Sequence, residues 1–371
     1  MTDGRIWWLA LSAIPGVGPA TFHRLIERFG DAERALRTAG ERGSDLLTPE
    51  VILALLQNQR DGPLTAAERI VAASERVDAR IVLATDPEFP PALGDLGPVP
   101  PVLYVRGSLE VLTAPAVGVV GTRRPSGYGR SVAADIGDEL GAAGLVLVSG
   151  LAIGVDGIAQ AAAIDAGGRS VGVLPSPIDR VYPPNHRSLA ERILITGGAL
   201  VSEVPPGRAI GKPDFARRNR IIAGLPQTVV VVEAPDRSGA LLTAHAAVTF
   251  GRELLAVPGQ IGSPQSQGTN RLIADHLATL LTSPAALIQQ AGRRAHEAGR
   301  ASVGLSDAEQ RVLEKVVRRS ASIEELQRAT GLATGSLASA LTLLESRGLV
   351  AAYAGATFHP TTAARRMYRG Q

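Results

Sequence analysis

Apolar residues recur along this chain in two rhythms. Between residues 115 and 286 they form short continuous runs, AVGVVG, GLVLVSG, SVGVLP, GALVSEV, QTVVVVEA, ELLAVPG and LATLLTS, with helical spacing between them. A run that is apolar at every position suits a strand buried on both faces, and such runs alternating with helices predict a mainly parallel sheet covered on both sides. On either side of that region the helical rhythm dominates. Residues 6–36 predict an apolar helix, a Pro-Gly-Val-Gly-Pro turn, and a second helix with Phe22, Leu25, Ile26 and Phe29 at helical spacing, with further helices to about Ser74. The turn reads either as a helix-hairpin-helix whose amides hold a phosphate, or as a tight turn in a small helical domain. Residues 305–360 predict two helices, a turn at Gly331, a third helix and two short strands, the order of a winged helix with Leu332–Arg347 as recognition helix. That helix offers Thr334, Ser336, Ser339 and Thr342 rather than cations, so DNA binding and protein docking both stay open.

These rhythms divide the chain into a helical domain (1–80), an α/β domain with a mainly parallel sheet (81–287), a charged linker (288–304) and a winged-helix domain (305–371). The 371 residues exceed one ordinary core, and 45% apolar content with a mean hydropathy of +0.13 excludes wholesale disorder. There is no cysteine, which rules out disulfides and thiolate metal sites. Histidines 23, 186, 245, 276, 296 and 359 lack metal-ligand spacing, so neither metal nor cofactor is expected. The apolar runs stop short of a membrane span and Met1–Trp8 has no signal-peptide pattern, which predicts a soluble cytoplasmic protein. Net charge is +3, and of 38 basic residues only Lys212 and Lys315 are lysines. A pI near 9.6 permits polyanion binding without demanding it.

Ligands of parallel sheets sit beyond the C-terminal strand ends. Four segments there carry the candidate chemistry. In VGVVGTRRPSGYGR, residues 117–130, a strand runs into Gly121, Thr122 and Arg123, and arginines fill a loop that a dinucleotide would need open. Ser149 and Gly150 precede a helix whose first turns hold Asp156. KPDFARRNRIIAGL, residues 212–225, supplies Lys212, Phe215, Arg218, Asn219 and Arg220 ahead of the run at Val229–Val232. Ser238 and Gly239 open a further helix. Together these segments predict a positive floor of guanidinium, ammonium and amide groups for phosphates, with Phe215 to stack on a base. The alternatives are a solvated turn for the arginine cluster and plain helix capping for Ser149 and Gly150. Neither a nucleophile elbow nor a P-loop occurs. Asp156, Glu203 and Glu233 are the acid/base candidates, with capping or arginine pairing as the simpler role for each.

The segments GVVGTRRPSGYG, SGLAIGVDGIAQAAAIDAGG, RVYPPNH, GALVSEVPPG, FARRNRIIAGL, EAPDRSGALLTAHAA and LLAVPGQIG, in this order, closely resemble the bacterial DNA-processing protein A (Smf) family. The resemblance spans the whole chain. It implies a Rossmann-like, mainly parallel α/β domain flanked by an N-terminal helix-hairpin-helix (SAM-like) domain and a C-terminal winged helix. It further implies a homodimer that binds single-stranded DNA without processing it, protects incoming DNA and loads a RecA-type recombinase during natural transformation, with double-stranded DNA reached through the flanking domains. The family's G-[ST]-R arginine falls on Arg123, its basic residue before the aromatic on Lys212, its aromatic on Phe215, and its R-N-R on Arg218, Asn219 and Arg220. Two departures stand out: Gly239-Ala240 replaces a Gly-Ser pair, and Ser176-Pro177 stand where glycine is common. Nucleotide phosphoribohydrolases of the same superfamily are the enzyme alternative, but their catalytic acid is missing from Ser238–Thr243. A recombinase adaptor that binds no DNA is the third reading.

Overall fold

The computed structural model describes residues 3–43, 45–291, 305–318, 321–346, 349–353 and 357–361. Turn chemistry sets the first five helices. After α1 (Asp3–Ser12) and the glycine-rich turn, α2 (Pro19–Phe29) starts on Pro19, where a missing N–H costs no helical hydrogen bond. Asp31 caps α3 (Ala32–Arg42) by accepting from the Arg34 amide at 2.8 Å. α4 (Pro49–Asp61) and α5 (Thr65–Arg76) complete the layer. Its buried side chains, Leu9, Phe22, Leu25, Leu36 and Leu55, merge with Leu83, Val102, Tyr104 and Leu200 into one cluster. Each such side chain contributes about 1.5–3 kcal/mol by leaving water. Trp8 Nε1 donates to the Pro101 carbonyl at 2.8 Å, which ties the helices to the segment between the first two strands. Residues 1–292 therefore form a single unit.

β1 (Arg80–Leu83) has no counterpart among the runs read from sequence, and the boundary expected after residue 80 falls inside it. β1 pairs antiparallel with β2 (Val102–Gly107). The apolar runs supply β3 (Ala116–Val120), β4 (Val146–Ser149), β5 (Ser170–Val173), β6 (Ala199–Ser202), β7 (Thr228–Val231), β8 (Glu253–Ala256) and the short β9 (Thr279–Leu280). The sheet order is β1-β2-β6-β5-β4-β3-β7-β8-β9, parallel from β6 to β9. Strands β3 to β7 are buried at every residue, which is why their sequence lacks a polar face. The connecting helices are α6 (Gly127–Ala142), α7 (Val155–Asp165), α8 (Arg187–Ile195), α9 (Lys212–Gly224), α10 (Gly239–Thr249), α11 (Gln267–Ala274) and α12 (284–291).

Two features of this layout position a site. The chain winds from β3 through β4 and β5 to β6, then returns to β7 on the other side of β3. Loops leaving β3 and β7 diverge at that reversal and leave a crevice between them. Beside it, α6 and α7 pack backbone to backbone: a Cβ on Gly137 or Gly141 would strike the Ala159 or Ala163 carbonyl. The linker expected at 288–304 begins too early, because 288–291 continue α12, with Leu287 and Ala291 buried and Ile288 packed against the sheet. Residues 292–304 lie outside the described residues.

The second unit, from residue 293 onward, holds α13 (Asp307–Arg318), β10 (Ala321–Ser322), α14 (Ile323–Thr330), α15 (Thr334–Ser346), β11 (Val350–Tyr353) and β12 (Thr357–Pro360). Ser322 and Glu325 form a capping box at the start of α14, and Gly331 (φ 66°) closes it in the left-handed region that glycine favours. Val312, Leu313, Leu326, Leu337, Leu341 and Phe358 fill its core under the antiparallel sheet β10-β12-β11. The expected recognition helix is α15, with Thr334, Ser336, Ser339 and Thr342 exposed. Among the described residues, no helix is long and apolar enough to cross a membrane.

Candidate nucleic-acid interface

The crevice at the winding reversal is a groove of about 560 Å³. Its walls come from the β3–α6 loop, the first half of α9 and the β7–α10 loop. Gly121, Thr122, Arg123, Lys212, Phe215, Arg218, Asn219, Ser238 and Gly239 all line it, together with Arg237 and Leu242. Arg123, Lys212 and Arg237 are exposed and have no hydrogen-bond or ion-pair partner among the described residues. Asp156 is the acid in the lining, and it is buried.

α9 decides which of its charges reach the groove. In sequence, residues 212–225 read as a strand-end segment whose arginines belong to the site, with a solvated turn as the alternative. In the structure they are helical, so positions i, i+3 and i+7 share one face. Lys212, Phe215 and Asn219 occupy that face. Arg218 also lines the groove, but its guanidinium turns inward under the ends of β4 and β5, and it is only 7% exposed. It donates to the carbonyls of Gly150 at 2.6 Å and Val173 at 3.1 Å. Burial lowers its pKa to about 10, against the favourable charge of Asp156 and with the nearby Arg123 adding to the fall. Arg220 is committed elsewhere, to Glu203 at 2.5 Å and to the Pro98 carbonyl, and does not line the groove. Neither arginine is a free phosphate donor, although both were expected to be.

The β4–α7 loop departs from expectation in the same way. Ser149 is fully buried and its hydroxyl donates to the Val119 carbonyl at 2.6 Å, which ties β4 to β3. The Gly150 amide donates to Asp156 at 3.0 Å while its carbonyl accepts from Arg218, so the peptide has no N–H left for a phosphate. A Cβ on Gly150 would collide with the Arg218 guanidinium, so only glycine fits between the two charges. Desolvation raises the Asp156 pKa, opposed by the Arg218 charge and by the Gly150 hydrogen bond. Gly154 (φ 92°) lets α7 begin directly beneath the Thr122 carbonyl, which accepts from the Val155 amide at 3.2 Å.

Capping chemistry fixes the remaining walls. The glycine register Gly127-Tyr128-Gly129 lies in the first turn of α6, and Ser126 caps that helix by accepting from the Gly129 amide at 3.1 Å. Glu233, 2% exposed, accepts from the Ser126 amide at 2.9 Å and hydroxyl at 2.6 Å, which joins the end of β7 to α6. Ser238 caps α10 by accepting from the Ala240 amide. Desolvation raises the Glu203 pKa, with Arg220 as the opposing charge. Each of the three acid/base candidates thus has an internal partner. Among the described residues, no group of three or more His, Asp or Glu side chains can hold a metal ion.

A smaller niche of about 50 Å³ opens beside the groove, walled by Arg123, Gly150, Ile153, Tyr182, Phe215 and Arg218. Tyr182 and Phe215 meet edge to face, with centroids 5.5 Å apart and planes at 83°. Sequence reasoning missed Arg237, Tyr182 and Leu242. Arg237 was legible, since it sits one residue before the Ser238 cap in a strand-end loop already singled out for its small residues.

Comparison with known proteins places this geometry. Residues 80–292 match the model for DNA recombination-mediator protein A, residues 2–41 the DprA-like N-terminal HHH domain, and residues 296–356 the DprA winged helix domain. The chain belongs to the DNA recombination-mediator protein A family. Protein Smf of Synechocystis is 34% identical over 287 residues, 75% of this chain and 70% of that protein. DNA processing protein DprA of Bacillus subtilis is 35% identical over 225 residues, 60% of this chain and 75% of that protein. Among solved structures, DNA processing protein A of Streptococcus pneumoniae aligns with a TM-score of 0.63 at 30% identity, covering 76% of this chain and 96% of that one. DNA processing protein A of Helicobacter pylori, a structure described for its single-stranded DNA binding mode, aligns with a TM-score of 0.53 at 28% identity over 58% of this chain and 97% of that one. The family's fold, a Rossmann-like α/β domain between a helix-hairpin-helix domain and a winged helix, is the fold of this chain.

Proposed function

We propose that this protein binds single-stranded DNA in the groove between β3 and β7, protects incoming DNA, and loads a RecA-type recombinase onto it during natural transformation. One observation carries the reading: Arg123, Lys212 and Arg237 are exposed and unpartnered around a groove whose other lining includes Phe215 and Leu242. Cations neutralise phosphates whatever the sequence, and an aromatic face takes a base only when that base is unpaired. The Helicobacter pylori relative, described for single-stranded DNA binding, supports the choice of ligand. Family membership supports the recombinase, a cytoplasmic homodimer, and duplex DNA reached through the flanking domains.

The protein acts here as a binder rather than an enzyme, since Asp156, Glu203 and Glu233 serve as internal partners. The test is a titration of single- and double-stranded DNA at two salt concentrations. Tighter binding of single strands with a strong salt dependence is expected. Equal, salt-insensitive binding of both forms would overturn the reading, and absence of any DNA binding would favour the adaptor.

A further inference from the structure

Arg123 lines three depressions: the 560 Å³ groove, the small niche, and a second groove of about 460 Å³ on the far side of the niche. The niche shares Phe215 and Arg218 with the first groove and Ile153 with the second, so the three depressions adjoin one another around Arg123. Gly157, Ile158 and Ala161 of α7 line the second groove, with Arg130 of α6 and Arg192 of α8. Arg130 is exposed and has no hydrogen-bond or ion-pair partner among the described residues. Arg192 pairs with Asp165 at the surface. No acidic residue lines this groove among the described residues.

The opposite flank differs in charge. There a depression of about 490 Å³ beside Ser126 and Tyr128 contains Glu233 and, among the described residues, no cation. A polyanion leaving the main groove meets no cation lining that side, whereas Arg130 and Arg192 line the other. Resting on the proposed single-strand function, we infer that the bound DNA strand turns over Arg123 and continues into the second groove, where Arg130 and Arg192 each hold a phosphate. Ile153, 48% exposed at the turn, offers an apolar surface to a base.

The experiment is a length series. Oligothymidylates of roughly 4 to 16 nucleotides, the span that single-strand-binding folds occupy, are titrated against the full-length parent, Arg130→Ala, Arg130→Ala/Arg192→Ala and Arg123→Ala. The shortest strands, which fill the main groove alone, should bind the Arg130→Ala variants like the parent. Above a threshold length each lost contact should lower the salt slope by about 0.7, which is about fivefold in Kd at 0.1 M salt. Ser188→Glu, an exposed change in the same groove, should reproduce the length-dependent loss without removing any ion pair. Melting temperatures measured alongside separate altered folding from altered binding. Parent-like affinity of the Arg130 variants at every length, with Arg123→Ala still weakened, would overturn the second groove and leave the main one standing. An equal loss at the shortest and longest lengths would also overturn it. Parent-like binding by Arg123→Ala throughout would overturn the single-strand reading itself.

Discussion

Replacing Arg218 by alanine separates a residue that holds the groove floor from one that contacts phosphate. The change removes donors to the Gly150 and Val173 carbonyls and strips Asp156 of its opposing charge. With Arg218 7% and Asp156 5% exposed, water cannot substitute well for either. Leaving a buried carboxylate without its counter-charge costs roughly 3–5 kcal/mol. Asp156 keeps the Gly150 amide, and its raised pKa lets it take up a proton instead, so the lower end, about 3 kcal/mol, is expected. For a unit of 292 residues the fall in Tm is roughly 5 °C. The pH dependence has a definite sign. Losing Arg218 raises the folded pKa of Asp156 further, and a carboxyl raised in the fold favours it most when protonated. The deficit is therefore complete above that raised pKa and shrinks as pH falls towards about 4. Adding Asp156→Asn to Arg218→Ala should recover part of the loss near neutral pH. Urea unfolding followed by Trp7 and Trp8 fluorescence gives the stability, and DNA titrations at two salt concentrations give the slope. A parent-like Tm combined with a slope flattened by about 0.7 would make Arg218 a phosphate ligand and refute the reasoning.

Arg123→Ala and Lys212→Ala should each weaken single-strand binding alike across sequences and flatten the salt slope by about 0.7; unchanged affinity and slope in both would remove the phosphate groove. Phe215→Ala should cost on the order of 1–3 kcal/mol of binding with the slope nearly unchanged, and a matching fall in Tm would reassign it to packing. Deleting residues 305–371 should spare single-strand binding and lower duplex affinity more, whereas loss of all binding would move the site. Purified protein should neither hydrolyse nucleotides nor cut DNA, and sustained turnover that disappears in Glu233→Gln would establish an enzyme.

The parallel sheet was legible because its central strands are buried on both faces and carry no charged residue, with single Ser or Thr residues only at strand ends. β1 escaped because RIVL is short and starts with exposed Arg80. At the site, Arg123, Lys212 and Phe215, expected to bind DNA, all line the groove, because strand-end loops and the exposed face of a helix are where sequence position and solvent access coincide. Arg218 and Arg220 were misjudged because charge alone does not reveal direction. Once residues 212–224 are seen as a helix, its rotation sends alternate cations into the protein, where Asp156 and Glu203 await them. Those carboxylates lie far away in sequence, and only the fold brings them within reach.

The glycine contact between α6 and α7 has a consequence for the thermodynamics of association. Both helices begin at the loops that carry Arg123 and Gly150, and side-chain-free packing at Gly137 and Gly141 leaves no cushion through which one could slide over the other. The two loop backbones are thus preorganised as a pair. Ordering a flexible, rotamer-rich side chain on binding costs about 0.5–1.5 kcal/mol. Here that entropy is drawn from the tips of a few long side chains, Arg123, Lys212 and Arg237, and not from the polypeptide that displays them.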